Sequence, residues 1–139
     1  MISFARILKQ VSLVAVLLGA AVSNSSPARA DDEFPFGMEM TLDVLAQPGS
    51  KRRPNLEIGD SGEVILELWC MGGKGQFSVA GNTVIFVAGQ MENRICPPER
   101  TQADNELIAA LSEVATWKRQ GDLVTLIGPK TLRFHLNTN

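Results

Sequence analysis

The chain has 139 residues, a length that fits one domain. It carries 13 Lys and Arg against 15 Asp and Glu; three of those bases (Arg6, Lys9, Arg29) precede residue 31 and none of the acids does, so residues 31–139 have a net charge of −5. That balance argues against a nucleic-acid partner, because phosphate binding is driven by Lys and Arg releasing counterions, and the one basic cluster, Lys51-Arg52-Arg53, reads as a solvated loop surface.

The amino-terminal stretch reads as a targeting segment. Arg6 and Lys9 flank the apolar run Val11–Val22, and Ala28-Arg29-Ala30 comes before Asp31-Asp32-Glu33. A basic flank, a short apolar core and small residues at the cut are what a secretory signal peptide needs. Cleavage after Ala30 and a periplasmic location are therefore expected. The apolar run, about a dozen residues, is shorter than the ~20 a spanning helix wants. Neither cysteine stands at the cut to accept a lipid, so no stable membrane insertion is expected after signal cleavage. Residues 31–36 read as a flexible leader and 37–139 as the folded domain.

Within that domain, Gly37–Leu45 alternates, with Met38, Met40, Leu42 and Val44 on one face, which predicts a half-buried strand. Ala46–Pro54 is rich in Pro, Gly, Lys and Arg and predicts a loop. Leu56–Ile58 is a short strand candidate, and Gly59-Asp60-Ser61-Gly62 a turn. In Glu63–Cys70 the residues Val64, Leu66, Leu68 and Cys70 share one face, opposite Glu63, Ile65, Glu67 and Trp69. Met71–Gly75 reads as a glycine-rich connector with glycines chosen for turn geometry. Because a strand follows it and not a helix, it does not make a phosphate-binding loop. Gln76–Val79 and Thr83–Ala88 are β-branched and aromatic, joined by a tight hairpin at Ala80-Gly81-Asn82.

One helix is expected. Pro97-Pro98 stops a helix from running through that point, Thr101-Gln102-Ala103-Asp104 matches a capping box, and Ala103, Leu107, Ala110, Leu111 and Val114 make an apolar stripe. Strands resume at Ala115–Gln120, Leu123–Ile127 and Thr131–Leu136. The links are hairpin-length, which forces antiparallel pairing. The fold class is α+β: an antiparallel, strongly curved sheet or open β-barrel with a single α-helix between the strand groups.

The two cysteines, Cys70 and Cys96, read as one disulfide in an exported chain. Closing a loop of about 25 residues stabilises by roughly 3 kcal/mol on the chain-entropy model. A redox-active pair is the competing reading, but such pairs sit two residues apart near a helix start, and these do not.

Gly62–Leu136 resembles the META domain of heat-inducible HslJ-like bacterial envelope proteins. The residues that carry the likeness are Cys70, Gly75-Gln76-Phe77, Gly81-Asn82-Thr83, Cys96-Pro97-Pro98, Glu106–Val114, Trp117, Gly121-Asp122, Val124 with Leu126, and Leu132-Arg133-Phe134. Gly37–Val44 would supply the opening strand. Met71 stands where the family usually has Asn, and Glu92 and Arg94 lie where it often has Thr and Met. The resemblance implies an antiparallel β fold with one helix, an envelope location, a non-enzymatic role linked to stress tolerance, and no catalytic residues to carry over.

No catalytic, metal or cofactor site is expected from the residues themselves. His135, the single histidine, should face away from the core. Zinc needs three or four ligands that the scattered acids and His135 do not assemble. Met38, Met40, Met71 and Met91 could suit copper(I), yet methionine is also an ordinary core filler. Glu63 and Glu67 share a strand face as a solvated alternation does. The expected function is a binding or interaction module for an envelope protein. The alternative is a carrier of a small apolar ligand in the mouth of the sheet, lined by Trp69, Phe77, Phe86 and Trp117.

Overall fold

The computed structural model describes residues 33–138, together with Gly19 and Ala21. The expected signal peptide and its cut after Ala30 lie outside the described residues apart from those two positions. The elements are β1 (Glu39–Leu42), β2 (Asn55–Ile58), β3 (Glu63–Glu67), β4 (Gly72–Ala80), β5 (Thr83–Met91), α1 (Pro98–Ser112), β6 (Thr116–Gln120), β7 (Leu123–Ile127) and β8 (Leu132–Leu136).

The antiparallel α+β reading with one helix between strand groups holds, and the sheet closes into a barrel in the order β1 to β8. Closure comes from β1 on β8, with Met40 opposite Leu136 and Leu42 opposite Phe134. Alternation explains the interior. Val64 and Leu66 of β3, Val84 and Phe86 of β5, Val124 and Leu126 of β7, and Phe134 of β8 all point inward and are buried. Met40, Leu56, Leu111 and Phe77 fill the space between them. Each large apolar side chain so buried stabilises by about 1.5–3 kcal/mol relative to exposure.

The ladder thins at one seam. β5 and β6 share a single pair, Thr83 with Thr116, flanked by Val84 N–H donating to the Ala115 carbonyl and Trp117 N–H donating to that of Asn82 (both 3.0 Å). The connection across this seam is α1, which buries Leu107, Ala110 and Leu111 against the core and so stops one end of the barrel.

Several expectations are corrected. The helix begins at Pro98, three residues before the expected capping box, with Pro97 at its N-cap and no side-chain cap. Proline suits that first position because its missing N–H is one the helix start leaves unpaired anyway. The first strand spans only Glu39–Leu42; Met38 and Val44 are exposed, not core. The glycine-rich connector is mostly strand, since β4 starts at Gly72. A Cβ at Gly72 would run into the Arg94 guanidinium and one at Gly75 into the Phe86 ring, so these glycines serve close approach, not a turn. The chain leaves β3 after Glu67, which breaks the alternation and buries Trp69 with Leu68.

The expected flexible leader is also corrected in its described part. Phe34 is buried and Pro35 with it. The Phe34 ring lies 5.3 Å from both Phe77 and Trp117 and 4.9 Å from Phe36, between centroids. It stops the barrel end opposite α1.

Candidate functional site

The end closed by α1 is organised around one buried carboxylate. Asp104 sits a turn before Leu107 on the inward face of the helix and has no solvent exposure. Its Oδ1 accepts the Trp69 N–H at 2.7 Å, and its Oδ2 accepts those of Cys70 at 3.0 Å and Met71 at 2.7 Å. The β3–β4 link has just left the ladder there, so its N–H groups need acceptors. The Cys70–Cys96 disulfide, with Cα atoms 5.9 Å apart, ties the same link to the segment entering α1.

Beside the disulfide, Arg94 lies across Gly72. Its guanidinium donates to Glu67 Oε1 and Oε2 at 3.1 Å each, to Glu92 Oε2 at 2.6 Å and to the Cys70 carbonyl at 3.2 Å. Arg52, from the β1–β2 loop, pairs with Glu67 as well. The hydrogen bond from Arg94, aided by the positive charges of both arginines against the opposing effect of burial, holds the Glu67 carboxyl below its ordinary value of 4.5. The same bond to Glu67, followed by that to Glu92, raises Arg94 further above its already high range. Met71, Glu92 and Arg94, the three family departures, thus meet at this one end: Met71 on the Asp104 clamp, the other two in the arginine fork. The fork is closed on itself, so these charges are structural partners of one another.

The outer face of the β3–β4–β5 sheet leaves Ile65, Ile85 and Val87 uncovered, at 47%, 57% and 60% exposure. They sit in adjoining registers: Ile65 is opposite Lys74, Val87 opposite Gln76, and Ile85 opposite Ser78. These β-branched residues at solvent-facing positions of β3 and β5 are the surface least explained by folding alone.

At the opposite end a cleft of about 620 Å³ is lined by Glu39, Glu57, Asp60, Glu63, Arg119 and Asp122, among others. Glu63 belongs to it while Glu67 belongs to the arginine fork, so the structure does not bring these two acids together. His135 faces outward, as alternation predicts, with Nε2 3.2 Å from Asp43 Oδ2. Met40 is sealed in the core, Met38 is exposed, and Met91 places its sulfur over Gly73. Among the described residues no group of three His, Cys, Asp or Glu is placed to hold a metal ion, and no helix is long and apolar enough to cross a membrane. Phe77 and Phe86 pack on each other in the core at 5.1 Å, so the four aromatics expected at a mouth do not line one.

The capping-box pattern places Asp104 at a helix start, whereas the structure places it inside the fold. The signal for it was present: Asp104, Leu107 and Leu111 fall on one helical face, which puts an acid inside an apolar stripe. An acid there must find donors inside the fold.

Residues 39–138 match the sequence model of the family described as META domain. No match was found among curated proteins. Among solved structures, the fold is similar to that in an NMR structure of a protein from Burkholderia xenovorans, with a TM-score of 0.63 and 15% identity over 84% of this chain and 97% of that one. At that identity the likeness is one of fold.

Proposed function

The chain belongs to the META-domain family, and from that premise we propose that it is a non-enzymatic binding module of the bacterial periplasm, linked to stress tolerance, that holds a protein partner on the outer face of β3, β4 and β5. The observation that carries this reading is the exposure of Ile65, Ile85 and Val87 in neighbouring registers of one sheet face. Covering the exposed fraction of each contributes roughly 1 kcal/mol, so the three supply an apolar centre around which polar contacts give specificity. The barrel axis is filled by side chains such as Met40, Phe77 and Phe134, which favours surface recognition over carriage of an apolar molecule inside the barrel.

Crosslinking in intact cells, with identification of the captured protein, tests the proposal. The wild type is expected to yield a discrete adduct, and Ile85→Lys with Val87→Lys is expected to lose it at unchanged melting temperature. An adduct insensitive to both substitutions, or a small apolar molecule retained in native mass spectrometry with no protein partner, would overturn it.

A further inference from the structure

Cations outside any ion pair gather on two loops at one end of the barrel. The loops of the α1 end bring together Lys51, Arg52 and Arg53 of the β1–β2 link, Lys130 of the β7–β8 link and Arg133 at the start of β8. Link 43–54 meets β8 directly, through Asp43 N–H donating to the Arg133 carbonyl at 2.8 Å. Of the acids at this end, Glu67 is engaged by Arg52 and Arg94, Glu92 by Arg94 and Asp43 by His135, and Asp104 by three backbone N–H groups; Glu99, Glu106 and Glu113 are exposed along α1 and at its C-cap, while the β1–β2 link holds no acid but Asp43 and the β7–β8 link holds none. Among the described residues, Lys51, Arg53, Lys130 and Arg133 make no ion pair, and all four are exposed. The other end carries the cleft of Glu39, Glu57, Asp60, Glu63 and Asp122, with Arg119 the one cation lining it among the described residues. A second feature coincides with the basic end. The same loop carries Leu45, 88% exposed, beside the exposed Val44.

Cations with an uncovered apolar tip between them match an anionic bilayer surface: the headgroups attract the charges, and a leucine can enter the headgroup–acyl boundary. An acidic pole at the far end adds orientation, since a like-charged surface repels it. We infer that the β1–β2 and β7–β8 loops form a docking surface for a bilayer leaflet rich in anionic lipid, seating the barrel with its α1 end toward the membrane. The contact is peripheral and reversible, and it leaves the outer face of β3–β5 open, so it does not depend on the protein-binding reading.

The test is sedimentation of the oxidised protein, purified from the envelope in the form the cell retains, with vesicles of phosphatidylglycerol and phosphatidylethanolamine and with neutral phosphatidylcholine vesicles. Every variant shares the same amino terminus, so differences between variants report the loops. Binding is expected to the anionic vesicles only and to fall as salt is added. Each cation removed should weaken partitioning roughly fivefold, so Lys51→Gln with Arg53→Gln should weaken it about 25-fold, and Leu45→Ser should weaken it while leaving the salt dependence intact. Glu57→Gln, at the acidic pole, should bind at least as well as the wild type. Equal binding to both vesicle types, absence of binding, or a Lys51→Gln, Arg53→Gln variant that binds like the wild type with an unchanged melting temperature would overturn the inference. So would loop-dependent capture of a protein by envelope extract without any vesicle binding.

Discussion

Replacing Asp104 should destabilise the domain more than any other single polar change, and the size of the effect can be worked from its contacts. Three backbone N–H groups point at one carboxylate that has no solvent exposure. Hydrogen bonds to a charged acceptor contribute about 1.5–3 kcal/mol each. Trp69 is buried, while Cys70 and Met71 are half-buried, so water recovers part of what two of the donors lose. Relief from burying a charge offsets a further part. Asp104→Ala should therefore cost about 3–4 kcal/mol, which for a domain of this size lowers Tm by roughly 15 °C. Asp104→Asn keeps the shape but has one acceptor oxygen; if that oxygen serves Cys70 and Met71, its NH2 faces the Trp69 N–H. A cost of about 2 kcal/mol follows. Thermal and urea unfolding of the oxidised protein measures both, with amide hydrogen exchange at residues 69–71 as the local readout and exposed Glu106→Ala as the control. An Asn variant that melts with the wild type and keeps those three amides protected would refute the clamp.

Three further outcomes follow from the packing. Cys70→Ser should lower the stability of the oxidised protein by roughly 3 kcal/mol, and a reductant should bring the wild type to the same melting temperature; equal melting with and without reductant would remove the bridge from this account. Phe34→Ala should cost about 3 kcal/mol, because the ring is buried against Phe77 and Trp117; a change under half a kcal/mol would restore the leader reading. Glu67 has a lowered folded pKa through its hydrogen bond from Arg94, so its contribution is fully present above the ordinary glutamate value and is lost as pH falls through the lowered one. Acid unfolding curves should show Glu67→Gln less stable than the wild type at neutral pH, with the gap closing under acid. The gap should be modest and shrink with salt, since the Glu67 side chain is 39% exposed; a gap that persists at the lowest pH would mean that packing, not charge, is what the substitution removed.

The strands were legible because one face of most is apolar and the other is not, as in Met40-Thr41-Leu42 and Phe134-His135-Leu136. What periodicity cannot carry is the pairing of distant partners. Asp104 looked like a cap because Thr101-Gln102-Ala103-Asp104 fits a local pattern; its true donors lie 33 to 35 residues earlier. The glycines before Gln76 looked like a turn because their reason for being glycine is carried by Arg94, Met91 and Phe86 on neighbouring segments. Phe34 looked free because the segment around it has no period, and only closure of the barrel creates the end it stops. The face at Ile65, Ile85 and Val87 was hidden for a related reason: β-branched residues suit a strand on either side, and only the register shows that these three share one face, across the Lys74, Gln76 and Ser78 positions of β4.

The most direct measurement is site-specific photo-crosslinking in living cells, with the photoreactive residue placed in turn at Val87, at Asp122 and at Leu45. The account predicts a discrete protein adduct from position 87, none from position 122 at the acidic end, and lipid adducts from position 45. A protein adduct from position 122 with none from position 87 would contradict it.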